Sequence, residues 1–210
     1  MKQYKLLKQG SSSGYSFEPE KGNADSYTVD VNQRPIGENP FIFLSQDSRT
    51  QPDHKDIVLA AGRLATSSAF KIYLGDPKCY YEDYDKSLPW EKMNIERPES
   101  TWSLDFSDSD IRRDFIWKKT RRIAVDGVEK PSRLLAQNWK LTCANDPDDV
   151  LAIFTGDLGL SQGGTLQINI DWGVQFEHMV LITLVCQFSK HKQPASQGSG
   201  SSIAAPPGGL

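Results

Sequence analysis

Residues 179–188 read MVLITLVCQF, and only Thr183 and Gln187 interrupt the apolar run. The run has no polar face at a period of 3.6 and none at a period of 2. A segment that is hydrophobic all round has to be covered on every side. At about 10–15 residues it falls short of the roughly 20 that cross a bilayer. It therefore reads as the central element of a soluble core, with the rest of the chain wrapped round it. Asp171 or Gly173 is placed to cap a helix beginning near Val174, with Glu177 in or near its first turn and Lys190 and Lys192 at its far end. Acid at the start and base at the end complement a helix dipole. Val180, Ile182, Thr183 and Val185 are β-branched, which keeps a long buried strand as the competing reading. Length and flanking charge favour the helix.

Upstream of that run the chain reads mostly as strands. Residues 27–31, 102–106 and 115–120 alternate apolar and polar side chains, and in the last of these Phe115 and Trp117 share one face while Lys118 and Thr120 share the other. Residues 41–44, 56–61 and 69–74 are further candidates, with the polar Thr66, Ser67 and Ser68 between the last two. Residues 138–143 form a strand, ANDPDD (144–149) a turn cluster, and 150–155 the returning strand. A glycine-rich loop at 156–164 precedes one more strand over 165–170, where Leu166, Ile168 and Ile170 are in step. This is a meander of antiparallel strands.

Residues 1–26 read as a flexible lead-in and 27–192 as the folded domain. The Gly, Ser, Ala and Pro of 193–210 read as a disordered tail. No internal repeat is visible.

Composition narrows the class. The 210 residues suit one domain, or at most two small ones, and hydrophobic residues at 38% supply a sizeable core. A net charge of −3 gives no prior for nucleic acid. The three cysteines, Cys79, Cys143 and Cys186, are far apart, odd in number and form no CxxC pair. That argues against a disulfide framework or zinc knuckle and for free thiols in a reducing compartment. No apolar stretch of signal-peptide length, no transmembrane span and no lipidation box is present. A cytoplasmic location is the expectation, with a nuclear or peripheral-membrane one as variants.

Strands throughout followed by one wholly apolar helix resemble the tubby C-terminal-like superfamily, which includes tubby proteins, phospholipid scramblases and LURP-one-related proteins. The resemblance is carried by FIWKKTRR (115–122), SRLLAQNWKLTC (132–143), VLAIFTG (150–156), TLQINIDWG (165–173) and QFEHMVLITLVCQF (175–188). These segments look most like the fungal LURP-one-like proteins. The resemblance implies an all-β fold: a closed antiparallel barrel of about twelve strands round a central hydrophobic C-terminal helix, without free sheet edges. It implies binding or scaffolding more than catalysis, and no cofactor. Tubby proteins bind phosphoinositides through basic residues on the barrel surface, and scramblases are lipid-linked and calcium-responsive. Many LURP-one-like proteins have no known biochemical activity, and fold alone does not transfer function.

Lys118, Lys119, Arg121 and Arg122 form the densest basic cluster, to which Lys130, Arg133 and Lys140 can add. On a strand, Lys118 and Arg122 would share a face with Thr120, while Lys119 and Arg121 would share the other. On a bend all four would surround a phosphate headgroup of an anionic phospholipid, lysine as a point charge and arginine as a fork of donors. The plainer account is a solvated outer strand kept soluble by its charges. A second candidate is CYYEDYDKSLPW (79–90), where Tyr80, Tyr81, Tyr84 and Trp90 crowd with acids. It is either a protein-recognition surface or a loop folded over a barrel mouth.

Other clusters read as structural. Asp105, Asp108 and Asp110 miss the calcium-loop pattern because Arg112 follows and no glycine does. Asp146, Asp148 and Asp149 belong to a hairpin turn. His178 and Cys186 lie two helical turns apart without a further metal ligand at suitable spacing. No GxSxG elbow, phosphate loop or dinucleotide fingerprint occurs.

Overall fold

A computed structural model describes residues 1–10, 14–21, 25–32, 41–47, 57–77, 88–96, 98–106, 111–128, 137–157 and 163–192. The strands are β1 (Lys2–Lys8), β2 (Tyr15–Pro19), β3 (Tyr27–Asn32), β4 (Phe41–Gln46), β5 (Val58–Thr66) and β6 (Ala69–Leu74). They continue as β7 (Glu91–Glu96), β8 (Glu99–Phe106), β9 (Ile111–Lys119), β10 (Asn138–Cys143), β11 (Asp146–Gly156) and β12 (Gly164–Ile168). Each pairs antiparallel with its neighbours in sequence, and β1 also pairs with β12, from Lys2 opposite Ile168 to Leu6 opposite Gly164. That pairing closes the sheet into a twelve-stranded antiparallel barrel.

The run at 179–188 lies in helix α1 (Val174–Lys192), and the long-strand alternative is excluded. Gly173 adopts a positive φ of 84° just before the helix, and its N–H donates to Asp171 Oδ1 at 3.2 Å. The first α1 bond runs from Glu177 N–H to the Gly173 carbonyl at 3.2 Å. From Phe176 to Phe188 every α1 side chain except the half-buried His178 is buried. The cover comes from all round the barrel. Phe176 meets Trp102 of β8 and Phe115 of β9, while Phe188 meets Tyr15 of β2, Trp139 of β10 and Phe154 of β11. On the β5 side the helix comes so close to Gly62 that a Cβ there would lie 2.9 Å from Cys186 Sγ. Glycine in a strand often marks such an approach.

Strand alternation does the rest. On β9 Phe115 and Trp117 are buried while Ile116 and Lys118 are half-buried, and on β8 Ser100, Trp102 and Leu104 are buried in step. Past β9 the chain crosses the outer wall. Val125 N–H donates to Thr155 Oγ1 at 3.0 Å, and Asp126 and Gln167 exchange two bonds of 2.9 Å. This strap explains why β12 is buried on both faces.

Several expectations need correction. Residues 1–26 are not a lead-in: they supply β1 and β2, and without β1 the sheet would not close. In KQYKLLK the inward face carries Tyr4 and Leu6, with Lys2 reaching Glu177 from the same face, while Lys5 points out. Strand β7 was not anticipated, since Met93 and Ile95 alone carry its inner face. The turn expected at 144–149 contracts to Ala144 and Asn145, because β11 begins at Asp146 opposite Cys143. The tail 193–210 lies outside the described residues. Among the described residues no helix is long and apolar enough to cross a membrane.

Leu184 is wholly buried on α1, so Leu184→Asp strands a charge in the barrel and is expected to cost more than about 4 kcal/mol, leaving no folded protein by circular dichroism. Gly62→Val forces β5 away from Cys186 and is expected to lower stability by about 1–3 kcal/mol in urea denaturation. Wild-type stability in either variant would place the helix away from the wall.

Candidate functional site at a barrel mouth

The basic cluster divides at the end of β9. Lys118 and Lys140 are register partners on the outer wall, and like charges side by side repel. Each turns away from the other. Lys118 Nζ pairs with Glu99 Oε1 at 3.1 Å, and Lys140 Nζ donates to the Pro147 carbonyl at 3.2 Å. Lys119 continues the inward face of Phe115 and Trp117, opposite Trp139, but falls at the rim and is exposed. The strand then stops and the chain bends. Arg122 N–H donates to Thr120 Oγ1 at 3.3 Å, which leaves Arg121 and Arg122 exposed beyond the rim. Lys119, Arg121 and Arg122 have no ion-pair partner among the described residues. Of the strand and the bend left open for Arg121 and Arg122, the chain takes the bend, while Lys118 stays on the strand. Arg133 and Lys130 lie outside the described residues.

Behind this rim is a cavity of about 230 Å³ lined by Ile95, Pro98, Glu99, Ser100, Lys119, Trp139 and Gln187. Gln187 lies near the C-terminal end of α1, so this mouth is the one by which the helix leaves the barrel.

The mouth at the helix's start holds a buried carboxylate that sequence reasoning assigned only to the helix dipole. Glu177 is 5% exposed. It accepts hydrogen bonds from Lys2 Nζ at 2.5 Å, from the Tyr4 hydroxyl and from the Tyr27 hydroxyl at 3.1 Å. Burial, together with the carboxylate each phenol donates to, pushes both tyrosines well above their ordinary range. The hydrogen bond to Glu177 raises the Lys2 ammonium. His178 packs edge-on against Tyr27, and burial lowers its pKa below 6.5. The signal was present: a glutamate within a helix otherwise apolar on that side, and two inward tyrosines whose hydroxyls each need a partner.

A wider hollow of about 410 Å³ is lined by residues of β6, β7, β8 and α1, among them Tyr73, Glu91, Asp105, Gln175 and Met179. Its two carboxylates are engaged by Arg112, at 2.7 Å each. Trp90 is committed to the wall, with Tyr73 at 5.8 Å and the Arg63 guanidinium 4.9 Å above its ring. Tyr80, Tyr81 and Tyr84 lie outside the described residues, as do Asp108 and Asp110. Asp146 Oδ1 accepts from Asp149 N–H at 3.3 Å within β11. Cys186 faces Gly62 while His178 faces Tyr27, so the two do not converge. Among the described residues no three metal-binding side chains cluster. No family model, no curated protein and no solved structure matches this chain.

Glu177→Ala would leave two buried phenols unpaired and is expected to cost about 2–4 kcal/mol, whereas Lys2→Ala, at an exposed side chain, costs less than about 1 kcal/mol. Urea denaturation separates the two. Burial makes His178 harder to protonate in the folded state than in the unfolded chain, so below its ordinary pKa the unfolded chain binds more protons. Its contribution to stability is complete above about pH 6.5 and is lost as pH falls. His178→Phe is expected to flatten that acid limb, and an unchanged limb would remove His178 as its source.

Proposed function

We propose that this protein is a non-catalytic binding module of the tubby-like kind, which holds an anionic headgroup at a membrane surface on Lys119, Arg121 and Arg122. One observation carries the reading. These three cations stand together at the rim without ion-pair partners among the described residues, while their neighbours Lys118 and Lys140 are already engaged. A lysine and two arginines on a bend can reach a phosphate from several sides, with the arginines donating in pairs. The neighbouring strap, fastened through Val125 and Asp126, limits how far the bend can move.

The test is co-sedimentation with vesicles containing phosphatidylserine and a phosphoinositide, against vesicles of phosphatidylcholine alone. Binding is expected to favour the anionic vesicles and to weaken with salt. Replacing Lys119, Arg121 and Arg122 together by alanine is expected to weaken it by about two orders of magnitude, at roughly 1 kcal/mol per basic residue. Replacing Lys118 and Lys140 is expected to have a much smaller effect. Equal binding by wild type and the triple variant would refute the assignment. Competition by the water-soluble headgroup separates headgroup recognition from general attraction to charge.

A further inference from the structure

We propose that the 230 Å³ cavity behind the rim is a second site, adjoining the first at Lys119, for a small uncharged polyhydroxylated molecule such as a short polyol or a monosaccharide. The proposal starts from the two polar residues that interrupt the central apolar run. Thr183 is accounted for: it donates to the Met179 carbonyl at 2.7 Å and accepts from Trp117 Nε1 at 3.0 Å. Gln187 is not. It is 2% exposed, and its Oε1 has no hydrogen-bond partner among the described residues. Across the same cavity Ser100, 1% exposed, also has an Oγ without a partner among the described residues. Buried polar atoms are satisfied in the great majority of cases, and those that are not call for a reason. Here two of them line one cavity.

The cavity exists because of what its walls lack. Ser100 occupies an inward position of β8 in step with Trp102 and Leu104, where a large apolar side chain would fill the space. Its register partner Ile95 and the ring of Trp139 supply apolar walls. Ligands with hydroxyl edges and C–H faces match such a lining. Both oxygens lie within the wall, so a ligand hydroxyl meets Gln187 Oε1 or Ser100 Oγ after a side-chain rotation, while its C–H face can lie on Trp139. The volume is below the roughly 300–1,000 Å³ of sites for drug-sized molecules, which limits the ligand to a few carbons or one ring. Glu99 is already paired with Lys118, so the charge at the entrance is that of Lys119, while the deeper polar groups, Ser100 and Gln187, are neutral and suit hydroxyls rather than an ion. Waters held there would be displaced without loss, because ligand hydroxyls reproduce their hydrogen bonds.

The test uses the full chain with glycerol, erythritol and glucose as probes, followed by amide and indole NMR and by thermal denaturation. At least one probe is expected to give saturable shifts at Ser100, Gln187 and the Trp139 indole. Ser100→Ala and Gln187→Met are each expected to weaken that binding about tenfold. In the ligand-free protein Gln187→Met removes an orphaned acceptor and is expected to raise Tm by about 2–4 °C. No saturable shift with any of the three probes overturns the site, as do shifts that persist undiminished in both variants. A fall in Tm for Gln187→Met also overturns it, since the amide would then be holding the fold. Arg121→Ala with Arg122→Ala is expected to leave polyol binding unchanged, and Gln187→Met to leave vesicle binding unchanged. The two sites can therefore fail independently.

Discussion

The rest of the structure depends on covering a helix that has no polar side between Phe176 and Phe188, apart from Glu177 and half-buried His178 at its start and Thr183 and Gln187 within. An amphipathic helix can lie against an open sheet. A helix buried all round cannot, because any uncovered stripe leaves apolar surface in water at about 25 cal/mol per Å². The sheet must close, and here closure needs β1, the strand nearest the N-terminus, between β2 and β12. Closure also removes the unpaired strand edges that invite aggregation. The two ends of the described chain thus depend on each other: the last element requires a cover that the first one completes.

The polar groups inside the barrel set the position of the helix rather than its enclosure. Hydrophobic contact alone would tolerate sliding or rotation of an apolar cylinder within an apolar wall. Glu177, bonded to Lys2, Tyr4 and Tyr27, holds one end against β1 and β3, and the bond from Trp117 to Thr183 holds the middle against β9. Gly62 sets the approach on the β5 side. Near the other end Gln187 has no such anchor for its carbonyl.

Much of the barrel was legible, and the exceptions have one cause. Strands 69–74 and 138–143 were placed at their observed limits, because clusters of apolar and β-branched residues mark them. Strands β1, β2 and β7 are hard to read because each carries only two inward apolar residues, and charged or polar side chains fill most of the other positions. Alternation that short looks like a hydrophilic tail until a partner strand is known. The basic cluster was visible as composition, yet its division was not. Whether Lys118 and Lys119 point the same way depends on where β9 ends, and that is set by pairing with β10. Glu177 and Ser100 carried weak signals, a charge in an apolar helix and a small residue in a row of large ones.

The periodicity of the chain was enough to establish a helix needing complete cover and a meander able to provide it, since both follow from the spacing of apolar residues along the chain. Pairing between distant segments settled the remainder. Closure joins Lys2–Lys8 to Gly164–Ile168, the Glu177 cluster joins residues from both ends of the chain, and the mouth cavity joins Ile95, Ser100, Lys119, Trp139 and Gln187. No local pattern encodes such meetings, because they are fixed by register and by the depth at which MVLITLVCQF sits in the barrel. The run that dictates the fold by its apolar character also contains Gln187, whose Oε1 has no partner among the described residues, and on it the proposed polyol site rests.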